Sequence, residues 1–212
     1  MSSLGISGFA HLFGVLAIIL LLVWLLHYRE GIDFDSDNGF RVFNVHPLMM
    51  FTGFIFLVGE AAMAFETVPG LRQTKKFVHM TLHLTAIILG IVGLCAVFKF
   101  HDMAHIVNVY SLHSWIGIGT FCLFGLQWLF GFVTFMIPGP SAPTRTRMLH
   151  RAFGKALLFM AVCAAETGLM EKSSFLNLKP HQREYHLINF TGLAILLFGV
   201  FVDFSINFRN FA

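Results

Sequence analysis

Six apolar blocks, each about as long as a bilayer is thick, dictate what this chain can fold into. They run near residues 7–27, 46–65, 78–98, 112–136, 150–170 and 187–207. A helix needs roughly 20 residues to cross the hydrocarbon layer. In lipid a span must satisfy its own backbone N–H and C=O groups, so each block is expected to be a helix. Composition agrees: 57% of the residues are hydrophobic and 12% charged, where a soluble domain carries about 25% charged residues. The first block is too long for a signal-peptide core and has no basic residue before it, so it reads as a true span. Pro47 falls at the start of the second block, where a missing N–H costs little. Pro138, Pro140 and Pro143 mark the end of the fourth. The expected fold class is an all-α membrane protein with six transmembrane helices. A net charge of +3, scattered along the chain, gives no reason to expect nucleic acid as a partner.

Six spans put both termini on one side. The loop after block 2 carries Arg72, Lys75 and Lys76, and the loop after block 4 carries Arg145, Arg147 and Arg151. The loop after block 1 is acidic, with Glu30, Asp33, Asp35 and Asp37. The positive-inside rule then places the termini and the 2–3 and 4–5 loops in the cytoplasm. The bias is moderate, because Lys172, Lys179 and Arg183 are assigned to the 5–6 loop. Cys95, Cys122 and Cys163 each lie within an apolar block and read as small buried residues. No CxxCH occurs, which argues against covalent c-type haem.

Eleven histidines in so apolar a chain are the main functional signal. His46, His79, His83, His113 and His150 lie at or in blocks 2 to 5, with His101 just outside block 3. Polar side chains in a span are costly and point to sites. His46, His79, His113 and His150 follow one another at intervals of 33, 34 and 37 residues, each near the N-terminal end of its span. Successive spans alternate in direction. His46 and His113 therefore fall at the non-cytoplasmic level, and His79 and His150 at the cytoplasmic one. Helices 2–5 become a four-helix bundle with two imidazoles at each end, as axial ligation of a flat haem requires. His83 lies one turn from His79 on the same face, and spacing alone barely separates the two as ligands. Gly53, Gly90, Gly117 and Gly154 follow the four histidines by 7, 11, 4 and 4 residues, on the ligands' own helix faces, where a macrocycle would need room. Ordinary packing of small residues between membrane helices is the alternative, but the recurrence at all four histidines favours room for the macrocycle. Two histidines per iron leave no open position, which favours electron transfer over oxygen chemistry. Glu60 and Glu166, also within blocks, are expected to snorkel or to bond between helices.

Several motifs resemble the cytochrome b561 family of transmembrane ascorbate-dependent oxidoreductases, in a plant-like form. They are His27-Tyr28-Arg29-Glu30-Gly31, Phe43-Asn44-Val45-His46-Pro47, Lys75-Lys76-Phe77-Val78-His79, Tyr110-Ser111-Leu112-His113-Ser114-Trp115 and Gly168-Leu169-Met170-Glu171-Lys172. The resemblance implies one domain over residues 1–212 with a haem-bearing core over about 44–172. It implies two non-covalent b haems, a homodimer, and a multi-pass protein of a vacuolar, other endomembrane or plasma membrane. It also implies cytoplasmic ascorbate as donor, and monodehydroascorbate or a ferric chelate as acceptor. It selects His79 over His83 as ligand and leaves His83 as a supporting group. It favours Arg72, Lys76 and Arg145 for ascorbate, and His101, Tyr110 and Phe100 for the acceptor. Two places depart from the family pattern: Leu149 replaces an aromatic before His150, and Ala64 to Arg72 lacks the basic, aromatic character of animal members.

Two other functions compete. A histidine-lined metal transporter would need ligands near mid-membrane, often on broken helices, whereas these histidines lie at two levels and the blocks lack mid-span proline. A haem-containing anchor subunit of a larger redox complex would need a soluble partner.

Overall fold

Each apolar block becomes a helix, and all but the fourth extend past their apolar stretch. The computed structural model describes residues 3–137 and 141–208. Pro138 and Pro140 fall outside them. The spanning helices are α1 (Gly5–Tyr28), α2 (Gly39–Thr67), α3 (Arg72–Ala104), α4 (Leu112–Phe135), α5 (Thr144–Phe175) and α6 (Arg183–Asn207). The extra turns are polar or basic. Lys and Arg keep their heads in water while their stems lie on apolar surface, so hydropathy alone underestimates helix length at such ends. Side chains set two of the starts. Asn38 Oδ1 accepts from the Phe40 N–H ahead of α2, and Ser111 and Ser114 cap one another reciprocally ahead of α4, each satisfying N–H groups that the helix leaves free.

Pro47 corrects the sequence reading. It lies inside α2, eight residues past Gly39 rather than in a first turn. A proline there cannot donate to the carbonyl four residues back. The helix nevertheless continues, widening into π-helical turns over Met50–Leu57. A π segment commonly marks a functional site, and here it directly follows His46 and Pro47.

Helices α2, α3, α4 and α5 pack in cyclic order, each against the next and α5 against α2. The diagonal pairs are thus α2 with α4 and α3 with α5. Helices α1 and α6 lie against each other and cover the α2 and α5 side. The approach of α6 to α2 is close: a Cβ on Gly59 would come within 2.4 Å of Phe198 Cζ. Polar contacts tie these outer helices down. His11 bonds Glu60 Oε1 at 2.8 Å, giving that carboxylate the inter-helix role expected of it. Ser7 meets Ser205 at 3.2 Å, and Lys155 pairs with Asp203 at 2.8 Å. Where α1 ends, Glu184 of α6 accepts from Trp24 Nε1 at 2.8 Å and forms an ion pair with Arg29. Asn44 donates to the Arg29 and Gly31 carbonyls, which fixes the turn into α2.

The outward faces are apolar, as a lipid-facing surface requires; Trp115, Leu126 and Phe130 of α4 are all exposed. Cys95, Cys122 and Cys163 also face outward as free thiols, contrary to their expected burial. Lipid is itself apolar, so a small apolar residue loses nothing there. Glu184→Ala would strand the Arg29 guanidinium and the Trp24 indole. We expect it to cost about 3 kcal/mol, read as a lower midpoint of thermal unfolding in detergent; an unchanged midpoint would show that the cluster does not hold α1 to α6.

Candidate functional site: two tiers of paired imidazoles

The four spaced histidines meet in pairs across the two diagonals of the bundle. His46 of α2 faces His113 of α4 with ring centres 6.1 Å apart. His79 of α3 faces His150 of α5 at 6.4 Å. Among the described residues no group of three or more His, Cys, Asp or Glu gathers as a metal site. An iron bound on both sides through a ring nitrogen at about 2 Å would hold the ring centres about 6 Å apart. The geometry of both pairs fits that group.

A shared device aims the rings. His46 Nδ1 donates to the Gly93 carbonyl at 3.0 Å, His79 Nδ1 to Ala61 at 2.7 Å, and His113 Nδ1 to Ala164 at 2.8 Å. Each bond fixes the tautomer and leaves Nε2 as the free donor atom, the usual arrangement for a metal-binding imidazole. The fourth is different. Beside His150 the Gln127 amide lies 3.0 Å from Nδ1 and donates to the His150 carbonyl at 2.7 Å. Partner positions follow a common interval. Gly93 is fourteen residues past His79, Ala164 fourteen past His150, Gln127 fourteen past His113, and Ala61 fifteen past His46. At 1.5 Å per residue this sets the two tiers about 21 Å apart along the helices.

The glycines divide. A Cβ on Gly117 would meet nothing within 4 Å, and one on Gly154 would meet only Gln127 Nε2 at 3.8 Å. Both leave open space one turn from a histidine. Gly53 and Gly90 instead admit side chains of neighbouring helices, Leu89 and Phe121, whose atoms would lie 2.6 and 2.3 Å from an added Cβ. At these two positions the room is taken by helix packing and not, as expected, left for a macrocycle. Two glycines that the histidine spacing does not single out lie against the imidazoles themselves. A Cβ on Gly131 would come within 2.9 Å of His150 Cε1, and one on Gly168 within 2.8 Å of His113 Cε1. Gln127 is a further site residue that the histidine intervals do not point to; its polarity within an apolar block is the signal that could have found it.

A cavity of about 680 Å³ opens beside the His79/His150 tier, within the range of roughly 300–1,000 Å³ typical of small-molecule sites. Its lining includes His79, His83 and His150, six cations (Arg72, Lys75, Lys76, Arg147, Arg151 and Lys155) and two carboxylates, Glu66 and Asp203. Of the three cations singled out for ascorbate, Arg72 and Lys76 line this cavity, whereas Arg145 does not and Arg147 does. Lys76 Nζ donates to the Phe135 carbonyl at 3.2 Å. His83 packs edge-on against His79 at 4.4 Å, and its Nδ1 is buried without a hydrogen-bond partner.

At the other end His101 bonds Asn108 Oδ1 at 2.8 Å, and Phe100 is its ring neighbour at 6.0 Å. Tyr110 donates to Glu171 at 3.1 Å. Partial burial, and then that carboxylate, push its phenol above the ordinary tyrosine range. Lys172 corrects the loop assignment: it belongs to α5 and is buried, at 9% exposure.

The model of the eukaryotic cytochrome b561 family matches residues 45–176, a stretch holding both histidine tiers. A probable ascorbate-specific transmembrane electron transporter of Oryza sativa subsp. japonica is 45% identical over 91% of this chain and 84% of its own. A transmembrane ascorbate ferrireductase of Arabidopsis thaliana is 41% identical, over 95% and 86%. A human lysosomal membrane ascorbate-dependent ferrireductase is 35% identical, over 89% and 82%. With six spanning helices, paired imidazoles at two depths and relatives of this closeness along nearly its whole length, the chain belongs to the eukaryotic cytochrome b561 family.

Proposed function

We propose that this protein carries electrons across a membrane, from ascorbate in the cytoplasm to monodehydroascorbate or a ferric chelate on the far side. The observation that carries the reading is the pair of facing imidazoles at each tier, at a spacing suited to a bound iron. His46 with His113, and His79 with His150, would each hold one non-covalent b haem. The bound haems supply reversible one-electron chemistry. The chain's own residues do the rest. Carbonyls of Gly93, Ala61 and Ala164 hold three imidazoles in one tautomer, so the rings need not reorganise as charge changes. Two histidines per iron leave no open position, which disfavours oxygen chemistry. Paired rather than clustered histidines, set about 21 Å apart, favour this reading over a mid-membrane transport site.

Sidedness follows from charge. The cations of the 2–3 and 4–5 connections adjoin the His79/His150 tier, and the positive-inside rule puts them in the cytoplasm with both termini. Ascorbate is an anion at neutral pH, and the cavity with Arg72, Lys76 and Arg147 in its lining is suited to it. His101, Phe100 and Tyr110 would meet the acceptor at the other end. The family's homodimer belongs to the same proposal, as does the choice between an endomembrane and the plasma membrane.

A visible spectrum of the purified protein tests the core of this reading: we expect low-spin haem bands at two haems per chain, reducible by ascorbate. No Soret absorption would end it. In the same preparation His79→Ala should lose one haem while His83→Ala keeps both, and the reverse would exchange their roles. Lys76→Ala should raise the ascorbate concentration for half-maximal reduction about tenfold with haem content intact. Arg145→Ala, outside the cavity lining, should change it less than Arg147→Ala; the opposite order would place the donor elsewhere.

A further inference from the structure

One buried charge is unused by the mechanism above. Lys172 of α5 is 9% exposed, and no carboxylate forms an ion pair with it among the described residues. Glu184 is already bonded to Arg29 and Trp24. Three aromatic faces surround the Lys172 ammonium instead. Its Nζ lies 3.7 Å from the Phe43 ring centre, 5.5 Å from Phe40 and 5.8 Å from Phe100. Ring faces attract a cation, the more so where water is excluded.

The cage adjoins the His46/His113 tier from two directions. The Phe43 ring lies 6.1 Å from the His46 ring. Lys172 also stands one helical turn past Gly168, the glycine that His113 presses against. A methionine or leucine would fill an aromatic cage without the cost of taking a charge out of water. What lysine adds at this position is the charge itself.

We propose that Lys172 is a positioning charge: a caged, unpaired ammonium that raises the reduction potential of the haem held by His46 and His113. The inference rests on the function proposed above. Reduction adds one negative charge at the iron, and a fixed cation nearby in low dielectric favours the reduced form. Its place at the exit tier alone biases electrons toward that tier.

The test is a spectroelectrochemical titration of the purified haem-loaded protein, wild type against Lys172→Met, Lys172→Arg and Phe43→Leu. His113→Ala, which should lack one wave, identifies the wave belonging to this tier. We expect Lys172→Met to keep two haems and to shift that wave to lower potential. At the wild-type midpoint its reduced-to-oxidised ratio should fall about tenfold, equivalent to about 59 mV for one electron. The second wave should move much less. Lys172→Arg should restore the wild-type value, and Phe43→Leu, which opens the cage and keeps the charge, should shift the same wave less than Lys172→Met. Two haems with both ratios within about twofold of wild type would overturn the proposal, as would equal shifts of both waves. If Lys172→Met does not retain haem, Phe43→Leu decides instead, and an unmoved wave in that variant would overturn the proposal. Wild-type protein without two low-spin haems would instead sink the reading of the histidine pairs.

Discussion

Everything in this bundle depends on hydrogen bonds from imidazole N–H groups to main-chain carbonyls of a neighbouring helix. A histidine in lipid must find a partner or suffer a large desolvation cost. Here the partner is a carbonyl near the opposite helix's own far end, fourteen or fifteen residues from that helix's histidine. His46 reaches Gly93 while His79, on the same helix as Gly93, reaches back to Ala61 on the helix of His46. The two bonds lock α2 and α3 in antiparallel register. Between α4 and α5 the tie is asymmetric: His113 donates to the Ala164 carbonyl, whereas beside His150 it is the Gln127 amide that donates, to the His150 carbonyl. These contacts therefore fix the helix register, three of the four ring tautomers and the depth of both tiers together.

Holding two tiers apart creates a second requirement, since the space between them must be filled without water. Aromatic rings fill it. Phe54 touches Phe121 at 5.2 Å and Phe124 at 5.1 Å, and Phe124 touches His83 at 5.3 Å. Gly90 is what lets Phe121 in, and Gly53 does the same for Leu89. The glycines thus serve two ends. Gly53 and Gly90 close the middle of the bundle, while Gly131 and Gly168 let the imidazoles lie close against α4 and α5.

Much of this is legible in the sequence because lipid makes the rules strict. Six spans, their alternation and the histidine intervals follow from hydropathy and counting. Pro47 is not, because the apolar block begins at His46 whereas the helix begins at Gly39; a block edge reports where charge starts, not where hydrogen bonding stops. Lys172 is obscured for the same reason. A charged residue after an apolar run reads as loop, and only the fold reveals three phenylalanines, all from helices far earlier in the chain, closing around it. Arg147 and Arg145 both lie in the first turn of α5, and a two-residue difference puts them on opposite sides of the helix. Sequence alone cannot say which side faces the cavity.

The ends of the molecule differ in how they treat positive charge. On the side of His79 and His150 the cations line an open cavity, where water and a mobile anion can screen them. On the side of His46 and His113 a lysine is sealed among rings, with Arg29 already neutralised by Glu184. A screened charge attracts a ligand and then exerts little field on what lies behind it. A sealed charge is out of a ligand's reach but is screened less from its neighbours than an exposed one. Under the proposed function, cations at the open tier would gather the donor, and the cation at the closed tier would tune the haem beside it.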